Sequence, residues 1–459
     1  MKKYKFSKTY VAAVLYRYAF LLFVPVLQGI LFAKSGKEIL FTLYSADLIV
    51  LVLIISIAAT RCSKSELRLD NKVCDIRGGV FFKTSEKSIL QKRVSLVFTS
   101  GIFIRLMGGC RLRIFGGSAY SAAYLKHKDK DDILNILLPK NPQKIVASGI
   151  FRSLLMSLSF SNALTGLLAA VPVIRRASVI IGAKQTALIL EGASLEGIFK
   201  FTGLEPMLSK ISSVLFFCWV VGFATEFFSE YGLKLSIYPF HFKVSKGLIT
   251  KTQAVFSKKS VRAVIFRQSL LMFLLGFYSA QLILNIKPRR KIHILSAGRR
   301  LACEVLQEDI YGNSEKYKTT IYPPKTAVWG YTYLPFICVS LSSVILILLS
   351  SNLIIKSVSA VMTVIFAIWF LFRFFALFRS SVSISDKYTE VKYYSGMNFT
   401  RAVFKSEDIT GFEITQSIFQ QINGRCNIKI KIANTKTMTV RIKHLNKNDV
   451  LKLKFPPLM

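Results

Sequence analysis

The sequence predicts an α+β membrane protein in which transmembrane helix hairpins alternate with three β-sandwich or barrel units, each closed by a C-terminal helix. Three observations carry that prediction. The 459 residues are 52% hydrophobic, and the mean hydropathy is +0.44. Apolar runs long enough to cross about 30 Å of hydrocarbon as helices come in pairs. Each pair is followed by a basic, strand-like region in which glycines and a serine return at matched spacing, the mark of an internal repeat.

The charge limits the partners. There are 63 Lys and Arg against 24 Asp and Glu, a formal charge of +39. Nucleic acid could balance it, but the basic residues sit between apolar runs and no pattern of base-stacking aromatics accompanies them. Anionic lipid fits better, because cations beside spans on the cytoplasmic side obey the positive-inside rule and attract acidic headgroups. Seven cysteines, Cys62, Cys74, Cys110, Cys218, Cys303, Cys338 and Cys426, form no CxxC pair and suggest neither a disulfide framework nor a zinc site. The first apolar run has no small-residue cleavage site and reads as a retained span.

The first hairpin covers 11–60, as "VAAVLYRYAFLLFVPVLQGILFA" and "ILFTLYSADLIVLVLIISIAAT" joined through "KSGKE". Lys2, Lys3, Lys5 and Lys8 before it and the basic stretch from Arg61 after it place both ends on the cytoplasmic side. The second pair, within 154–227, is less regular. Arg175, Arg176, Lys184, Lys200 and Lys210 lie between its two apolar runs, so the intervening stretch is either a translocated loop or a set of amphipathic surface helices. The third hairpin, 327–378, is long and apolar in both arms, with Lys356 in the short connection. Units at 61–140, 231–312 and 380–456 follow the three pairs.

The units align on glycine. Gly79, Gly247 and Gly396 open a block that ends at Gly108, Gly276 and Gly424, with separations agreeing to within one residue, and Ser100, Ser269 and Ser417 fall at nearly the same place in each. Strand, turn and strand lead into the first glycine, as in "LKLSIYPFHFKVSKG", and alternating strands such as "CNIKIKIAN" follow the last. The stretches "DKDDILNILL", "GRRLACEVLQEDI" and "NKNDVLKLKF" close the units as helices, and Leu301, Val305 and Leu306 share one face of the second.

This order, with a Gln-Ser segment running to a glycine (Gln268 and Ser269 to Gly276; Gln416 and Ser417 to Gly424), resembles the bacterial pleckstrin-homology-like (PH-like) membrane proteins, in particular the YdbT-like group with repeated units. In the first unit Ser100, Arg105 and the glycine keep the pattern; the second unit has no arginine matching Arg105. The resemblance spans about residues 11 to 455. It implies two packed antiparallel sheets capped by a helix, held against the inner leaflet, with no enzyme activity and a role in scaffolding or in protecting the membrane under stress.

No catalytic constellation stands out. His127, His241, His293 and His444 are scattered without metal-ligand spacing, and "GGCRLRIFGG" lacks the lysine and helix start of a phosphate loop. The expectation is no enzyme, no cofactor and no metal. Within the spans, Arg17 and Asp47 lie in the two arms of the first hairpin, read either as a polar pathway or packing pair or, for Arg17 as for Arg373, as a snorkelling cation. Lys83, Lys87, Lys92 and Arg93, then Lys251, Lys258 and Lys259, then Arg401 and Lys405 recur around the first strand hairpin of each block. They are candidates for facing lipid headgroups, weighed against an ordinary positive-inside surface. The expected function is a non-enzymatic membrane scaffold or accessory subunit that binds the inner-leaflet surface and a protein partner. That partner could be another copy or a smaller one-unit relative. Transport, or protection against membrane-active peptides, is the alternative.

Overall fold

The computed structural model describes residues 2–18, 37–70, 73–79, 84–89, 95–115, 121–139, 141–160, 206–285, 290–311, 319–348, 353–395, 398–432 and 438–452. Its fold is α+β, with all strand pairing antiparallel and gathered in four sheets.

One plan is used three times. A short strand comes first: β1 (Lys2–Lys5). Helices follow, α1 (Thr9–Tyr18) and α2 (Lys37–Lys64). Three strands then complete a four-stranded half: β2 (Glu66–Leu69), β3 (Val73–Gly78) and β4 (Thr84–Ile89). The second half is β5 (Ser95–Ser100), a five-residue helix α3 (Ile102–Leu106), β6 (Gly109–Phe115), β7 (Ser121–Lys126) and a closing helix α4 (His127–Leu137).

The second pass gives β8 (Lys144–Ala147), helices α5 (Ile150–Phe160) and α6 (Pro206–Glu230), then β9 (Lys234–Ile237), β10 (His241–Lys246) and β11 (Lys251–Ser257). It ends with β12 (Val261–Ser269), α7 (Leu270–Leu274), β13 (Phe277–Leu284), β14 (Arg290–Arg299) and α8 (Arg300–Tyr311).

The third gives β15 (Thr319–Ile321), α9 (Val328–Leu348), α10 (Leu353–Arg379), β16 (Ser381–Ile384), β17 (Tyr388–Ser395) and β18 (Asn398–Lys405). It finishes with β19 (Ile409–Thr415), α11 (Ile418–Ile422), β20 (Arg425–Ile432), β21 (Met438–Asn446) and α12 (Lys447–Leu451).

The repeats are not separate beads. The three-stranded half of one repeat joins edge to edge with the four-stranded half of the next. β5 pairs with β11 (Ser100 opposite Lys251), and β12 pairs with β18 (Ser269 opposite Asn398). The sheet orders are therefore β1-β2-β3-β4, then β7-β6-β5-β11-β10-β9-β8, then β14-β13-β12-β18-β17-β16-β15, then β19-β20-β21. The first strand of each repeat lies on the far side of its helices and pairs back across them: Lys5 with Glu66, Ala147 with Lys234, Ile321 with Val382. Each set of helices thus leaves and rejoins its sheet at one place. Sequence reading missed β1, β8 and β15, because each is parted from its partner strand by the helices and no strand-turn-strand pattern marks it.

The chain divides into two compact units, one made chiefly of Met1–Ala147 and Phe228–Ser260, the other of Ser148–Phe227, Val261–Asn285 and Arg289–Met459. In the first, Leu67, Leu69 and Cys74 of the four-stranded half share a core with Phe98, Leu112, Ile114 and Leu125 of the three-stranded half, and Ile133 and Leu134 of α4 close it. In the second, Val382, Val391 and Phe404 pack with Ile428, Ile430, Val440 and Ile442 under Val450 of α12. Strand alternation explains the fit: in β20 Ile428, Ile430 and Ile432 point inward while Lys429 and Lys431 alternate with them. Each such buried aliphatic side chain contributes about 2 kcal/mol of transfer free energy.

Among the described residues two helices are long and apolar enough to cross a membrane, Lys325–Leu348 and Val358–Arg379, with hydropathies of 2.0 and 2.3. Only 22% and 17% of these stretches are buried, whereas a core helix would be mostly covered. Thr363 donates to Ser342 across the pair at 3.0 Å. Of the first expected hairpin, 11–60, residues 19–36 lie outside those described, and of the second, 154–227, residues 161–205 do.

Candidate membrane-facing site

The repeated Gln-Ser-to-glycine segment is a strand, a capped single helical turn, a left-handed residue and a second strand. Ser269 caps α7 by accepting from the Met272 amide, and Ser417 caps α11 by accepting from the Gln420 amide, both at 3.3 Å. Gln420 returns a bond from the Ser417 amide, completing a capping box. The preceding glutamines bridge the turn: Gln268 Nε2 donates to the Phe277 carbonyl at 3.1 Å and Gln416 Nε2 to that of Arg425 at 2.6 Å. In the first repeat Gly101 takes the cap position without a side-chain bond, and Ser100 ends β5. Gly108, Gly276 and Gly424 then turn the chain at φ 68, 70 and 60°, where a side chain is strained. The Gly108 and Gly424 carbonyls also accept from the first amides of α4 and α12. The opening glycines Gly79 and Gly247, at φ 126 and 99°, turn the hairpin between the third and fourth strands.

These three turns carry apolar side chains outward, and sequence reading did not single them out. Phe103 and Leu106 on α3 and Met107 after it are 61, 79 and 55% exposed; Leu274 at the end of α7 and Leu275 after it are 72 and 48%; Ile418, Phe419 and Ile422 on α11 are 75, 79 and 78%. All three turns lie at the root of long helices. In the first unit, an apolar groove of about 760 Å³ runs between α3 and the start of α1 and end of α2, lined by Tyr10, Ile57, Phe103 and Met107. In the second unit, Phe273 of α7 stands 6.0 Å from Phe375 of α10, and Gln420 of α11 bonds His444, whose ring packs 5.4 Å from Tyr331 of α9.

A cavity of about 400 Å³ opens in the second unit where α10 ends, walled by Gln268, Tyr278, Arg379, Glu390, Lys392, Tyr393 and Arg401. Glu390, 2% exposed, is held by Arg401 at 2.8 Å and Lys392 at 3.2 Å, and Arg401 also donates to Gln307 at 2.8 Å. Arg379 lies 4.1 Å over the Phe273 ring and donates to Gln268 at 2.8 Å. Burial pushes the Tyr393 hydroxyl pKa up. The cavity is thus lined by cations beside a buried carboxylate and by aromatic faces.

His444 holds a left-handed φ of 56°, which is rare for a residue with a side chain. Its amide donates to Asn427 Oδ1 at 3.1 Å, and its Nδ1 faces Gln420 Nε2 at 3.0 Å. Gln420 Nε2 also donates to Asn427, so both its protons are directed and Nδ1 accepts. Burial, with Arg425 and Lys443 nearby, lowers the imidazole pKa to about 4. The buried thiols of Cys74 and Cys110 are pushed up to about 12 and stay protonated. Among the described residues no three His, Cys, Asp or Glu side chains are grouped to hold a metal ion.

The basic residues picked out by sequence are dispersed. Lys83, Lys92, Arg93 and Gly396 lie outside the described residues, as do the side chains of Lys87, Arg17 and Asp47. Lys251 is exposed at the start of β11. Lys258 and Lys259 form a 3-10 turn, with the Lys258 ammonium 5.3 Å over Phe242. Lys405 pairs with Glu407 at 3.1 Å in the open, and Arg401 is committed to Glu390 and Gln307. No protein-family model, curated protein or solved structure matches the chain.

Proposed function

We propose that the chain is a multi-pass protein of the cell membrane whose three strand-built units are PH-like modules held on the cytoplasmic face. It works as a non-enzymatic scaffold or accessory subunit that engages the inner-leaflet surface and a protein partner. The observation that carries this reading is the bracketing of each set of helices by a pair of adjacent strands, β1 with β2, β8 with β9, β15 with β16. A chain that enters and leaves the bilayer from neighbouring strands of one sheet crosses an even number of times. All three modules then fall on one side, and the cations flanking the first helices, Lys2, Lys3, Lys5, Lys8 and Arg61, favour the cytoplasm for that side. The parity extends to the residues between Ala147 and Lys234, however the segment 161–205 runs.

Three features support contact with lipid. The apolar turns α3, α7 and α11 stand where the long helices meet the modules, Arg61, Lys64, Lys325 and Arg379 gather at those roots, and packed antiparallel sheets capped by a helix are what the YdbT-like resemblance implies. The test is extraction and purification. Alkaline carbonate should leave the full chain in the membrane, and mild detergent should recover it as a reproducible assembly. Release by carbonate, or a solitary monomer at every detergent concentration, would count against the reading.

A further inference from the structure

We infer that copies of this chain join head to tail, β19 of one copy pairing antiparallel with β4 of the next to build another seven-stranded sheet. The inference deepens the scaffold reading, on which it rests, by naming the partner as a second copy.

The argument is one of unmatched halves. Within the chain, each junction between repeats joins the fifth strand of one repeat to the fourth strand of the next: β5 to β11 and β12 to β18. Three repeats leave two halves over, the four-stranded β1–β4 and the three-stranded β19–β21. Their outer strands, β4 and β19, are the fourth and fifth strands, the same two positions that pair internally. Among the described residues β4 pairs only with β3 and β19 only with β20. An open edge offers a row of backbone donors and acceptors to a complementary strand. Because the two edges differ from each other and fit each other, the contact is heterologous and a single chain supplies both sides.

The internal junctions also set the register. Ser100 stands opposite Lys251, four residues past Gly247, and Ser269 opposite Asn398, two past Gly396. Carried to Ser417 and Gly79, these two registers place Ser85 opposite Thr415 or opposite Glu413. In the first, Glu413 meets Lys87, an opposite-charge pair across the new edge.

The test uses two differently tagged full-length chains produced together, one carrying Ser85→Cys, the other Thr415→Cys or Glu413→Cys, treated with a short thiol cross-linker. A product bearing both tags should appear with at least one of the two pairings and vanish when either new cysteine is left out. It should also be lost when the second cysteine is moved to the outer edge of a seven-stranded sheet by Thr319→Cys. Absence of a two-tag product, an equal yield with Thr319→Cys, or a product only between two Ser85→Cys chains would overturn the inference. The product is read in whichever fraction holds the chain, so a chain washed out by carbonate that still cross-links overturns the membrane reading and keeps this one.

Discussion

Gly424 stands at φ 60° with open space where a β-carbon would go, so alanine there meets no atom and tests the backbone alone. The left-handed conformation costs an L-residue roughly 1–2 kcal/mol, and Gly424→Ala should lower stability by about that much in thermal unfolding. His444 gives a test by pH. Its folded pKa of about 4 lies below the ordinary imidazole value of about 6.5, so its contribution is complete above pH 6.5 and is lost as the pH falls toward 4. Melting temperature should fall across that window, and His444→Gln should flatten the fall; an identical profile would remove His444 as its source. Arg401→Leu takes the nearest cation from the buried Glu390 and should cost about 2 kcal/mol or more, since Lys392 alone remains. The serine and glycine positions were legible in the sequence from their repeated spacing, while the cap and the left-handed turn they form emerged only in the fold. The bonds of Arg401 were not legible, because Glu390 lies on β17 and Gln307 on α8, and no spacing names a neighbour that far along the chain.

At the scale of the element, the five-residue turns show why the lipid-facing candidates shifted. In "TSGIFIRLMGG" the apolar residues read as strand, since a single helical turn is too short to display its period. Folded, the cap and the glycine fix the turn and leave its apolar side chains outside the core. If α11 sits at the bilayer boundary, a tryptophan at position 419, with Trp219, Trp329 and Trp369 replaced, should be quenched by lipids brominated near the headgroup end of their chains. Fluorescence indifferent to brominated lipid would place α11 in water or under protein. The closing helices were readable because a charged opening precedes apolar positions at helical spacing, as in α4.

For the whole molecule, the alternation of the strands announced sheets but not their partners. The sequence displays three similar units, and a reader joins each unit's strands to one another. In the fold the second and third sheet-halves of the series, and likewise the fourth and fifth, are fused across repeat boundaries, as β5 with β11 and β12 with β18 show. Pairing between repeats depends on which edges meet, and period-two patterning is blind to that. The central claim is that three modules hang on one face of a bilayer from helices that cross it an even number of times. Paired reporters, one active only inside the cell and one only outside, fused after residues 139, 311 and 452 and within 34–36 and 349–352, measure this most directly. The account predicts inside activity at the first three positions and outside activity at the last two; outside activity after any one module would contradict it.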